Sequence, residues 1–290
     1  MAFQRWDGKH ASVQALQPHA GDDRSLIASL QREVELRDED LEVLHDQLEA
    51  AERELLDLRA IRDALTPPDL PKRPGLDLAA AFLPAAAEQV SGDFYLATGG
   101  PRDSTVLVVG DVVGHGLDAA RRGSFVRTAF IAVAPYSDDP CQLLEWANAA
   151  LIERAGTDGL FVTAACVTYL PGERRLRWAY AGHPEARWLD DGGPLVAPTH
   201  GMPLGINETL GCVEGSCQLA PGAGLLLYTD GLTEARHSGK LFGTEAVTSV
   251  LTGLHAASPA EAIAVLRARV TDFAYGGLTD DLCMLATRVQ

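Results

Sequence analysis

TVLVVGDVVGHGLDAARR, residues Thr105 to Arg122, carries the change of pattern around which the chain is organised. Thr105 to Val109 is a continuous apolar run of the kind a buried strand makes, and Leu117 to Phe130 continues at helical spacing. Between them GDVVGHG, Gly110 to Gly116, reads as a glycine-rich corner, with glycines at 114 and 116 that allow close backbone approach and positive φ. Asp111 sits at the strand's exit, on a rigid element at a sheet edge where oxygen ligands can hold a hard cation such as Mg²⁺ or Mn²⁺. A turn of this composition also occurs merely to change the direction of the chain.

Upstream of this corner the pattern is different in kind. Residues 1 to 23 show no periodicity and read as a mobile tail. From residue 24 to 65, the positions Ile27, Leu30, Val34, Arg37, Leu41, Leu44, Leu48, Ala51, Leu55, Leu58, Arg62 and Leu65 alternate spacings of three and four, which is the a/d seam of a coiled coil. The run from Ile27 to Leu65 lacks Pro and Gly, so a helix of about 58 Å is expected at 1.5 Å per residue. So narrow an apolar stripe needs a partner helix, and the same stretch of a second copy is the expected one, giving a homodimer through residues 24–65. TPPDLPKRPG, Thr66 to Gly75, stops the helix with prolines and forms a linker. Residues 76–290 then make the main domain.

Within that domain Leu76–Leu83, Asp93–Ala97 and Thr105–Val109 read as strands, and Leu117–Ala134 and Pro140–Arg154 as two helices, the second opened by Asp139 as N-cap. Leu160–Leu170, Arg174–Ala181, Ala186–Leu189, Gly211–Leu219 and Gly224–Thr229 follow as strands separated by turn signals. Helices at Thr244–Leu254 and Pro259–Phe273, the latter with a Ser258/Glu261 capping box, precede a last strand at Leu282–Thr287. Strands in hairpin-like runs with helices in pairs indicate a mainly antiparallel α+β layered fold.

Composition excludes several roles. A formal charge of −16 over 290 residues argues against nucleic acid and anionic lipid as partners. No run of about eighteen apolar residues and no secretion signal is present, so a cytoplasmic protein without a membrane span is expected. The five cysteines, at 141, 166, 212, 217 and 283, include no CxxC pair and read as reduced, mostly buried thiols; Cys212 and Cys217 are assigned to strand packing.

Four acidic sites share one local grammar: Asp93 in SGDF, Asp111 in GDVVGHG, Asp230 in YTDG, and Asp280 with Asp281 in GLTDDL. Each lies where a predicted strand begins or ends. Carboxylates gathered there by a sheet would repel one another unless divalent cations neutralised them, and the lack of Cys or His at ligand spacing favours Mg²⁺ or Mn²⁺ over zinc. Two such ions can share a carboxylate and activate a water for attack on phosphorus.

The ordered series FLPAAAEQVSGDFY, VVGDVVGHGLDAA, AYAGHP, PLGI, LLYTDGLTEAR with FG, and TDDLCMLATRV, over about residues 70 to 289, resembles the SpoIIE-type serine/threonine phosphatases, a bacterial branch of the metal-dependent PPM, or 2C-like, phosphatases. The resemblance implies an αββα sandwich of two antiparallel sheets flanked by helices, and two Mn²⁺ or Mg²⁺ ions. It implies that Asp111 bridges both ions with the Val112 carbonyl in the shell. Asp93 would be a ligand of one ion, Asp230 and Asp280 ligands of the other, and Asp281 would orient the shell. It further implies a phosphorylated STAS-domain anti-sigma factor antagonist as substrate. Signals are expected to arrive through the N-terminal coil itself or through an upstream regulator bound near residues 1 to 65.

The chain departs from the family at Ser91 and Leu96, where a glycine and a second acid are usual, and at Arg121 and Arg122, which read as a solvated helix face. His115 and His183 are assigned to shaping their turns rather than to proton transfer. The competing reading is a catalytically silent coiled-coil scaffold whose phosphatase-like domain binds phosphoprotein or nucleotide.

Overall fold

The computed structural model describes residues 25, 26, 28–34, 37, 41, 44, 45, 47–53, 65, 66, 68–83, 85, 91–155, 161–254, 256–275 and 277–290. The chain divides into two units, residues 1–60 and 61–290. In the first, every described residue from 25 to 53 is helical, and Leu30, Val34, Leu41, Leu44 and Leu48 of the apolar stripe are each more than half exposed. The expected tail and the seam positions Ile27, Leu55, Leu58 and Arg62 lie outside the described residues.

The second unit contains two large antiparallel sheets. One has the order β1-β11-β8-β6, formed by Leu76–Leu83, Leu282–Val289, Gly224–Tyr228 and Arg187–Trp188. The other has the order β2-β3-β4-β5-β7, formed by Phe94–Gly99, Thr105–Val112, Val162–Leu170, Arg175–Ala181 and Gly215–Gln218. Helices α1 (Gly116–Val133) and α2 (Pro140–Ala155) cover the outer face of the five-stranded sheet. Beyond the short α3 (Gly231–Glu234), helices α4 (Gly243–Thr252) and α5 (Pro259–Ala274) cover the outer face of the four-stranded one. The architecture is therefore the expected αββα sandwich.

Three apolar layers hold it together, and strand alternation assigns residues to them. In β3, Val106, Val108 and Val112 point to the helices while Leu107 and Val109 point into the layer between the sheets. In β11, Leu282, Met284 and Ala286 meet α4 and α5 while Cys283 and Leu285 face the inter-sheet layer. Both strands are buried on both faces, which is why they read as continuous apolar runs.

Local signals account for the helix starts. Asp139 Oδ1 accepts from Gln142 N at 3.0 Å ahead of Pro140, and Ser258 Oγ accepts from Glu261 N at 3.2 Å ahead of Pro259. Positive φ at Gly114 and Gly116 turns the chain from β3 into α1. Sequence reading overextended two strands, since Ala186–Leu189 shrinks to β6 and Gly211–Leu219 to β7. Residues ahead of β7 instead make isolated bridges, Val162 with Leu204, Ala181 with Gly201 and Thr199 with Val213. It also missed α3 and the hairpin of β9 (Arg236–His237) and β10 (Lys240–Leu241), which are too short to show a period.

The cysteines require a correction. All five are free, but only Cys166 and Cys283 are buried; Cys141, Cys212 and Cys217 are half-buried. Cys217 does pack from a strand, the edge strand β7, onto the inter-sheet layer, whereas Cys212 lies outside any strand and packs with Cys141 on the helix side.

Candidate functional site

Strand parity selects the acids. Tyr95 and Ala97 of β2, Leu107 and Val109 of β3, Leu225 and Leu227 of β8, and Cys283 and Leu285 of β11 all face the inter-sheet layer. Continuing the two-residue alternation to one end of the sandwich, where β3 and β8 end and β2 and β11 begin, puts Asp93, Asp111, Thr229 and Asp281 on that same layer. Asp230 follows Thr229, and Asp280 precedes Asp281.

The carboxyls of Asp93 and Asp111 lie close enough to shift each other's titration. Asp93 is only 5% exposed, and burial first and the Asp111 charge second raise its pKa well above 3.8. Two neutral groups fix it: Thr229 Oγ1 donates to its Oδ2 at 2.7 Å, and its own N–H donates to Ser91 Oγ at 3.0 Å. Ser91, where the family usually has glycine, thus closes a turn around the acid. Asp111 is half-buried, with a pKa raised by burial and then by Asp280 and Asp281.

Asp230 is pushed up to about 6, by burial first and then by the charges of Asp111, Asp280 and Glu234. Asp280, the most exposed of the set, is raised by partial desolvation and then by Asp281, while the Asp281 N–H it accepts at 2.8 Å acts the other way. Asp281 Oδ1 accepts from Ala85 N at 2.7 Å, which fastens the segment after β1.

Two glycines allow these segments to meet. A Cβ on Gly92 would lie 2.9 Å from the Val112 carbonyl oxygen, so that carbonyl borders the segment bearing Asp93. A Cβ on Gly231 would lie 1.8 Å from the Asp281 carbonyl oxygen, a contact that only glycine permits. That contact brings the Asp230 turn against the Asp280–Asp281 pair.

The donor set is entirely oxygen. Cys283 lies beside it, but burial and then the Asp93, Asp111 and Asp281 charges push its thiol well above the usual range and keep it protonated. Among the described residues no three His, Cys, Asp or Glu side chains stand at closed metal-holding spacing. What the fold brings together is a pair of neighbouring carboxyls with further acids within electrostatic reach of it. Such a set fits a hard cation better than it fits itself, because the alternative to a cation is protonation.

Other expected residues fall elsewhere. His115 holds the N-cap position of α1, exposed and without a side-chain cap bond. Arg121 is exposed and Arg122 half-buried on the first turns of that helix. His183 is buried, its Nδ1 2.8 Å from Thr163 Oγ1 and its Nε2 3.1 Å from the Tyr228 carbonyl, so it ties β4 to the end of β8. Burial lowers its pKa to about 4. Thr163 is itself the cross-strand partner of Asp111.

Comparison with known proteins agrees with this architecture. The family model for Stage II sporulation protein E (SpoIIE) matches residues 101–290, a span that begins after Asp93. Phosphoserine phosphatase RsbU of Bacillus subtilis (strain 168) is 26% identical over 178 residues, which are 61% of this chain and 52% of RsbU; the chain thus spans about half the length of that relative. Among solved structures, the SiaA-PP2C domain of Pseudomonas aeruginosa superposes with a TM-score of 0.65 at 22% identity, covering 73% of this chain and 86% of that one. The PP2C phosphatase domain of SpoIIE from Bacillus subtilis, solved with a fragment of its regulatory domain, gives 0.64 at 19% identity, covering 76% and 64%. With the family model matched along most of the sandwich, this chain belongs to the SpoIIE family.

Proposed function

We propose that residues 61–290 hydrolyse phosphoserine and phosphothreonine in protein substrates, with two Mn²⁺ or Mg²⁺ ions as cofactors. The observation that carries this reading is the convergence of Asp93 and Asp111 at the edge of the inter-sheet layer, within electrostatic reach of each other and of Asp230 and Asp280. When bound, such ions supply charge neutralisation and lower the pKa of a water for in-line attack at phosphorus.

Asp111 would be the ligand shared by both ions, and the Val112 carbonyl would join its shell. Asp93 would hold one ion, Asp230 and Asp280 the other, and Asp281, with one oxygen committed to Ala85, would orient the shell. The chain supplies position and charge, which is most of what phosphoryl transfer requires.

RsbU, named a phosphoserine phosphatase, supports the reaction class. The substrate in this reading is a phosphorylated STAS-domain anti-sigma factor antagonist, dephosphorylated in a partner-switching pathway in the cytoplasm. Among the described residues no helix is long and apolar enough to cross a membrane. The exposed stripe of Leu30, Val34, Leu41, Leu44 and Leu48 supports pairing of two copies through residues 24–65, where an upstream regulator would also act.

The test is hydrolysis of p-nitrophenyl phosphate and of a phosphoprotein, with and without Mn²⁺. Wild type is expected to need the metal, and Asp111→Asn to lose at least about 100-fold in kcat/KM. Equal rates for the two proteins, or rates indifferent to Mn²⁺, would leave the silent scaffold as the correct reading.

A further inference from the structure

Thr229 lies at the end of β8, fully buried, where its pairing with β11 would continue to Cys283. Its N–H does so, donating to the Cys283 carbonyl at 3.0 Å. The return bond is rerouted: Cys283 N–H donates to Thr229 Oγ1 at 2.9 Å instead of to the Thr229 carbonyl. That carbonyl accepts from Leu232 N at 3.1 Å and starts the turn that carries Asp230. The hydroxyl therefore takes over the strand's acceptor, releases the backbone to turn, and has one proton left, which it donates to Asp93 Oδ2 at 2.7 Å.

Three acid-bearing segments meet at this one side chain. Asp93 is bonded to it directly, Asp230 is its chain neighbour, and Asp281 is two residues from the Cys283 N–H that it accepts. The donated bond holds one oxygen of Asp93 in place and so fixes the carboxylate that would serve as a cation ligand.

We propose that Thr229 is a positioning residue of the metal centre, its hydroxyl setting the Asp93 carboxylate and the Asp230 turn in register across the two sheets. The inference rests on the metal-dependent reading given above. Any replacement without a hydroxyl takes the Thr229 bonds away from both Cys283 N–H and Asp93 Oδ2, so the informative comparison is between Thr229→Ser and Thr229→Ala, which differ only by the hydroxyl.

Binding of Mn²⁺ to the full chain is measured by calorimetry without substrate, alongside Mn²⁺ activation of p-nitrophenyl phosphate hydrolysis. Ser is expected to bind Mn²⁺ within about threefold of wild type, and Ala about tenfold or more weakly, as for other groups that orient a metal ligand. The activation constant should shift with the binding constant, while kcat at saturating Mn²⁺ largely recovers. If Ala fails to fold, Thr229→Cys, with a weak donor at nearly the Ser volume, replaces it in the comparison. Equal Mn²⁺ constants for the hydroxyl and hydroxyl-free variants overturn the role of Thr229. If wild type binds Mn²⁺ and Asp111→Asn abolishes turnover while those variants still match, only that role falls; if wild type neither binds Mn²⁺ nor hydrolyses, the phosphatase reading falls with it.

Discussion

His183 stands neutral in the interior with both ring nitrogens engaged, and its burial has a consequence for pH. Folded His183 takes up its proton only near pH 4, whereas the unfolded residue does so near 6.5. Between those values the unfolded chain holds more protons, so stability from this residue is complete above pH 6.5 and is lost as pH falls toward 4. The loss is about 3 kcal/mol for a shift of this size. Urea unfolding of wild type and His183→Gln at several pH values measures it: the stability advantage of wild type at pH 7 should shrink by that amount near pH 4. A difference between the two proteins that does not change with pH would mean the ring titrates normally. At this scale Asp93, Asp111 and Asp230 were legible because Asp beside Gly at a strand end is a local pattern, and Asp280 and Asp281 because a paired acid opens an apolar run. The sequence hid Thr229, Ser91 and the partners of His183, because a hydroxyl shows its purpose only through the group it meets, and Asp93 lies 136 residues from Thr229.

The turn α3 has only four residues, and its first leaves no room for change. Its first residue, Gly231, abuts the Asp281 carbonyl with no room for a methyl group, and both sides of the contact are main chain. Gly231→Ala must therefore push the Asp230 turn away from Asp280 and Asp281. A loss of about 1–3 kcal/mol in urea unfolding is expected, the usual cost of overpacking. A raised Mn²⁺ requirement should accompany it; unchanged stability and unchanged Mn²⁺ activation would show that the backbone yields at no cost to the site. The large elements were legible in the sequence because burial on both faces leaves unbroken apolar runs in β3, β8 and β11, and because Asp139 and Ser258 announce α2 and α5. Elements of two to four residues were not, since no period can be read from so few positions.

For the whole molecule, the division at residue 60 separates a helical unit with an exposed apolar stripe from a sandwich that has its own three cores. Removing residues 1–60 is expected to leave a folded, monomeric protein with Mn²⁺-dependent hydrolysis at an altered rate, against a dimeric full chain. Light scattering and p-nitrophenyl phosphate assays decide it: an unchanged oligomeric state would place any pairing outside the first unit. The order of the strands has a further consequence, for biosynthesis. β11 lies in the interior of its sheet, between β1 and β8, although more than 190 residues separate it from β1. Leu76 therefore waits on the nascent chain for Val289, and the four-stranded sheet cannot close until β11 has left the ribosome. Asp280 and Asp281 directly precede β11, so a polypeptide interrupted before them lacks the fourth acidic site and the strand that would bring it to the other three.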